Sequence, residues 1–131
     1  MREIKFRGRT LDEKPVHWVY GYLNNDEGGL YICQPFNAKV YVDPETVGQF
    51  TGMEDMNGSQ IYEGDVVELK NWDGNKVRGV VVHDDRYAMF GIARCNDIHN
   101  ILHKKPKLVG NVFDNKKFHK ELFETYDLYQ K

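Results

Sequence analysis

The chain has 131 residues, a formal net charge of −2, and 29% charged and 13% aromatic side chains. That length supports one domain, or one domain with a small appended lobe, whose core needs no covalent staples. The aromatic share favours a folded chain over a disordered one, the charge balance argues against a general nucleic-acid binder, and no apolar run approaches the ~20 residues of a membrane span.

The first residues, MREIKF, hold no apolar signal core, so a cytoplasmic location is expected. Over residues 2–9, Ile4 and Phe6 alternate with Lys5 and Arg7, the period of a half-buried strand. Val16, Trp18, Tyr20 and Tyr22 alternate over residues 16–23 and predict a second strand with an aromatic face. Asn24 to Gly29 reads as a loop. Residues 29–34 and 39–42 read as short strands separated by Pro35 and Asn37.

Residues 42–67, VDPETVGQFTGMEDMNGSQIYEGDVV, concentrate turn chemistry. Asp43 can cap a helical turn, Pro44 fits its first position, and Glu45 complements the dipole. Gly48 and Gly52 then limit that helix to one or two turns. Asn57-Gly58 is a hairpin signal of type I′, and Val66-Val67 opens a strand.

The next strands are predicted over 65–71, 76–83, 87–94, 98–102 and 107–113. Asp73-Gly74 and residues 83–86 serve as turns between them. Turn signals about ten residues apart suit an all-β barrel or sandwich. Phe118, Leu122, Tyr126 and Tyr129 then fall on one stripe of a helix over 116–129, with Asp114 or Asn115 as its cap.

Chemistry-bearing groups are few. Cys95, His99 and His103 would share a helix face as zinc ligands, but the segment reads as a strand, which spaces them ~13 Å apart, so no metal is expected. Glu54, Asp55, Asn57 and Ser59 suggest a calcium loop, yet Gly58 stands too early and Val66 replaces the bidentate Glu. His83, Asp84 and Asp85 could exchange protons, but Asp is a normal turn residue. Ser59 has no nucleophile context, and no phosphate-binding glycine loop is present. Cys33 and Cys95 are expected as buried free thiols. Arg2, Lys5, Arg7 and Arg9, and likewise Lys104, Lys105 and Lys107, read as solvated strand-edge charges. Arg7 and Arg9 with Phe6, Trp18, Tyr20 and Tyr22 could instead form an aromatic–basic binding surface, although a core-facing aromatic set is the commoner outcome.

Several motifs together resemble one family. They are Ile4-Lys5-Phe6-Arg7-Gly8, Trp18-Val19-Tyr20-Gly21-Tyr22, the run from Val42 to Gly52, Asp55 with Asn57-Gly58, Ile61-Tyr62-Glu63-Gly64-Asp65-Val66-Val67, and Val109-Gly110-Asn111-Val112-Phe113-Asp114-Asn115. The chain is similar in these to the YopX-like family of phage and prophage proteins. Asn115-Lys116-Lys117 departs from the family's Asn-Pro-Glu, which bears on how the C-terminal helix starts. The resemblance implies a mainly β fold with an SH3-like barrel in its later part, a phage or prophage origin and a cytoplasmic location. It implies no enzymatic activity and no cofactor.

The expected organisation is a single YopX-like unit. It comprises an N-terminal β lobe over 1–56, an SH3-like barrel over 57–113 and a C-terminal helix over 114–131. The expected function is non-enzymatic binding of a protein partner, with a surface drawn from Arg7, Arg9, Trp18, Tyr20 and Phe123. Self-association through the helix is also expected, since Phe123 and Leu128 lie off its stripe. The alternative is a small β-barrel that binds nucleic acid; no membrane partner is expected.

Overall fold

The computed structural model describes residues 3–70, 73–94, 97–100, 105–115 and 118–130, with the backbone alone at 97–100, 119–121, 123 and 130. The chain forms two compact units, Met1–Gly52 and Met53–Lys131.

The first unit begins with β1 (Phe6–Arg9) and β2 (Trp18–Asp26), followed by β3 (Gly29–Gln34) and β4 (Ala38–Tyr41). A 3-10 turn at Pro44–Thr46 leads into β5 (Gly48–Glu54), which carries the chain over the unit boundary. Strand β1 pairs antiparallel with β2 and β5, and β3 pairs antiparallel with β2 and β4. One face of the sheet is apolar. Val19, Ile32 and Val42 are buried there, with Phe6, Leu23, Leu30, Val40 and Val47 packed on them. Gly8 is required at its position, because a Cβ would lie 2.8 Å from Val42 Cβ.

The 3-10 turn follows the expected chemistry. The Asp43 carboxylate accepts from Glu45 N at 3.1 Å, and Pro44 takes the first position. Thr46 Oγ1 donates to Asp43 O at 2.7 Å and accepts from Arg9 N at 2.9 Å, tying the turn to β1. Strand β5 was not expected, since Gly48 and Gly52 read as breakers. Its alternation nevertheless buries Gly48 and Phe50 and leaves Gln49 between them half-buried.

The second unit contains β6 (Gln60–Tyr62), β7 (Asp65–Lys70), β8 (Lys76–Asp84), β9 (Met89–Arg94), β10 (Asp97–Asn100), β11 (Lys107–Asn111) and α1 (His119–Gln130). Five strands form an antiparallel sheet in the order β10-β9-β8-β7-β11. No pairing joins β10 to β11 among the described residues, so this sheet is open where a closed SH3-like barrel was expected.

Both faces of that sheet are covered. Val66, Val80, Val82 and Ala93 point to one side with Val112, Phe118 and Tyr126; Val67, Val81 and Ile92 point to the other with Ile61. This is why Val80-Val81-Val82 reads as a continuous apolar run. Each fully buried valine contributes about 1.5 kcal/mol or more. The helical stripe is covered by its own unit, with Phe118 and Tyr126 buried and Leu122 and Tyr129 packed beside them.

Two hairpin turns differ in type from expectation. Gly58 and Gly74 do take positive φ, +85° and +81°. The only non-glycine residues with positive φ among those described are Phe36, Asn37 and Ala88. Asn57 and Asp73 therefore do not satisfy a type I′ turn, which needs positive φ at both central positions. Instead Gly58 N donates to Asp55 O at 3.1 Å and Asp55 N to Ser59 O at 2.7 Å, a turn closed by a glycine bulge.

Candidate functional site

The register of β1 on β2 sets Arg7 opposite Tyr20 and Arg9 opposite Trp18. Directly paired residues share a face, and alternation places Tyr22 there too. Val19 and Leu23 point the other way into the core, and so does Phe6, which alternates with Arg7 and is therefore not part of the aromatic–basic face. The aromatic set therefore looks away from this core, against the expectation of a core-facing set. Tyr20 is 48% and Tyr22 71% exposed.

The arginines are held by their surroundings. Arg7 is buried, and its guanidinium carbon lies 4.5 Å from the Trp18 ring centroid, a cation–π stack. Arg9 is half-buried on a strand end fixed by Thr46. The structure thus brings together four of the five sequence-derived surface residues. The fifth, Phe123, belongs to α1 by its backbone, and its side chain lies outside the described residues.

One neighbour was missed. Gln34 Nε2 donates to Tyr20 O at 3.1 Å, and the chain then turns through Pro35–Asn37. There Phe36 is fully exposed with φ +64° and ψ +27°. A phenylalanine in the left-handed region is strained, and a bare ring gains nothing from burial to offset that. Its sequence signal was an apolar residue inside a Pro/Asn turn.

On β2–β4, Lys39 Nζ lies 2.9 Å from Asp26 Oδ2, and Tyr41 Oη donates to the same carboxylate at 2.9 Å. The lysine hydrogen bond is the largest influence holding the Asp26 carboxyl below the ordinary carboxylate range. Lys39 also lies over the Tyr31 ring, 5.0 Å from its centroid. These contacts anchor the β2–β3 turn.

The acid–base candidates are absorbed by turns. Asp84 accepts from Arg86 N, Nε and Nη2 at 3.0, 3.1 and 3.2 Å, and Arg86 holds its carboxyl below the ordinary range. His83 Nδ1 lies 2.7 Å from Asp85 Oδ1, and its ring meets Phe90 edge-on. Asp55 Oδ1 accepts from Asn57 N at 2.9 Å and Ser59 N at 2.8 Å, and Oδ2 from Leu108 N at 3.0 Å. Burial pushes the Asp55 carboxyl up, but these three N–H groups outweigh it and hold it below the ordinary range. The shifts of Asp26, Asp55 and Asp84 carry these groups away from proton exchange near neutrality.

Among the described residues no group of three or more His, Cys, Asp and Glu side chains could hold a metal. Cys95 and His103, and the side chain of His99, lie outside the described residues. Cys33 is half-buried with a free thiol. Among the described residues no helix is long and apolar enough to cross a membrane.

Residues 6–118 match the YopX protein family. The chain belongs to the YopX family. No curated protein matches it. Several YopX motif residues build the scaffold: Gly8 of β1 beneath Val42, Asp43 at its cap, Asp55 and Gly58 in their hairpin, and Gly110-Asn111 at the end of β11. Asn111 Oδ1 accepts from Phe113 N and Asp114 N at 2.9 and 2.8 Å, turning the chain toward α1. Much of what resembles the YopX family in this chain is scaffold, but its Trp18–Tyr22 motif also leaves Tyr20 and Tyr22 at the surface.

Proposed function

We propose that this YopX-family chain is a non-enzymatic phage or prophage accessory protein that acts in the host cytoplasm by binding a protein partner. The observation that carries the reading is the outward aromatic face of the first unit. Tyr20 and Tyr22 stay exposed beside an Arg7–Trp18 stack. Tyrosine, tryptophan and arginine are the residues that concentrate binding energy at protein interfaces. Phe36 extends the surface with a strained, fully exposed ring. A strained residue retained at the surface is a functional signal. The carboxylates of Asp26, Asp55 and Asp84, each engaged in turns, support binding over catalysis.

Self-association belongs to the same reading. Leu128 is 66% exposed on α1, while Tyr126 of the same helix is buried in its own unit. A second copy would meet the helix on the Leu128 side, in a closed symmetric dimer.

The test compares proteins that co-purify with tagged wild-type chain and with the Tyr20→Ala/Tyr22→Ala variant in the same host. The reading requires a protein retained by the wild type and lost with the variant while the variant's thermal midpoint is unchanged. Identical sets of retained proteins would contradict it.

A further inference from the structure

The second unit holds a cavity of about 580 Å³ whose charge is one-sided. It is lined by Lys70, Lys76, Lys105 and Lys107, by the single carboxylate of Glu68, and by Met56, Asn57 and Leu69. The lysines come from separate segments, and strand register gathers them. Lys70 stands opposite Lys76, and Lys107 opposite Glu68. The remaining wall is the Asp55–Ser59 hairpin. Asp55 Oδ2 accepts from Leu108 N at 3.0 Å, and Met56 N donates to Pro106 O at 3.0 Å. Both bonds fix the hairpin against the segment that carries Lys105 and Lys107.

The lone carboxylate is already engaged. Glu68 lies 3.2 Å from Arg78 Nε and 3.9 Å from Lys76 Nζ. Among the described residues, no ion pair is formed by Lys70, Lys105 or Lys107. Three like charges around one concavity repel each other and focus a positive field, inside a chain whose net charge is −2. A surface that only kept strand edges soluble would intersperse signs. The cavity is also within the size range of small-ligand sites, and Leu69 and Met56 give it an apolar side.

We infer that this cavity binds the phosphate chain of a nucleotide, with Lys70, Lys105 and Lys107 as its counter-charges. The ligand chemistry is the same for a free nucleoside triphosphate and for a stretch of single-stranded nucleic acid. Lysine suits both, as a point charge that engages phosphate without fixed geometry. The inference is independent of the protein-binding face, which lies in the first unit.

The experiment uses the full chain at low salt. Two probes are titrated, a fluorescently labelled oligothymidine and ATP, against the wild type, the Lys70→Gln, Lys105→Gln and Lys107→Gln variants, and Lys14→Gln. Lys14 is an exposed lysine of the first unit, and its substitution makes the same change in net charge. Each cavity variant is expected to weaken binding several-fold and Lys14→Gln to leave it unchanged. For the oligonucleotide, each cavity substitution also lowers the slope of log affinity against log salt by about 0.7. Binding of the oligonucleotide, with or without ATP, assigns a strand, and binding of ATP alone assigns a free nucleotide; either supports the inference. Failure of the wild type to bind either probe, or an equal effect of Lys14→Gln, overturns it.

Discussion

Asp55 and Leu108 are 53 residues apart, and a hydrogen bond of 3.0 Å joins the carboxylate of one to the amide of the other. The other carboxylate oxygen closes the hairpin that Asp55 itself begins. One buried side chain thus sets a local turn and docks it on β11. Replacing it with Asn would leave an amide group facing an N–H donor. Asp55→Asn should cost about 1–3 kcal/mol, read as a lower urea midpoint with an unchanged slope.

The same carboxylate gives a pH dependence. Its native pKa lies below the ordinary value of 3.8. A depressed native pKa contributes stability that is fully present above the unfolded value, near 3.9, and is lost as pH falls through the native one. Asp84 shifts in the same direction, through Arg86. Stability should therefore be flat from neutrality to about pH 5 and fall below about pH 4, and the fall should be shallower in Asp55→Asn. Urea midpoints across that range, equally steep in both proteins, would be the contrary result.

Two glycines separate backbone strain from crowding. Gly58 has φ +85° and only the tip of Glu54 within 4 Å of a built Cβ. Gly58→Ala should cost about 1 kcal/mol, from the backbone alone. At Gly110 (φ +155°) the added carbon would lie 2.5 Å from Asn115 Oδ1 and 2.6 Å from Phe118 Cε2. Gly110→Ala should cost about 2–4 kcal/mol, since overpacking adds to strain. Chemical denaturation ranks the two, and equal losses would refute the distinction.

Much of the fold was legible because local chemistry and tertiary structure agree. Gly29–Gln34 is both the expected and the observed strand, and the Asp43 cap forms as its sequence implied. Strand β5 was hidden because its glycines read as breakers, while its pairing with β1 is a long-range fact. The type I′ reading of Asn57-Gly58 failed because a side chain two residues earlier captures the turn's amides. Of the aromatic–basic face, alternation gave the members except Phe6, which joins the core; which way the face points depended on where the core forms. The lysine-lined cavity was not visible, because Lys70, Lys76 and Lys107 meet only through register.

Helix α1 should prove integral to the second unit. Tyr126 is buried against Phe113, with ring centroids 5.5 Å apart, and belongs to the cluster of Val66, Val80 and Val82. Tyr126→Ala should cost about 3–5 kcal/mol. A truncation ending at Asn115 should lose cooperative unfolding of that unit and bind a hydrophobic dye. In light scattering, Leu128→Glu should instead leave the fold intact and convert a dimer to a monomer. A wild type that is monomeric at high concentration would remove self-association from the account.

Phe36 should show a trade of stability against binding. Phe36→Gly relieves the left-handed backbone and should raise stability by about 1 kcal/mol, measured as a higher urea midpoint. The same substitution should weaken partner binding. Loss of stability would mean that the ring has a structural role.

The central claim is that the Tyr20–Tyr22 face of the first unit binds protein. Once a co-purifying partner is isolated, its affinity for purified wild-type chain and for Tyr20→Ala/Tyr22→Ala tests this most directly. Two truncated anchors of more than ~1 kcal/mol each predict a dissociation constant raised by about 30-fold or more, with Lys14→Ala unchanged as a control. Equal affinities of the wild type and the double variant would contradict the claim.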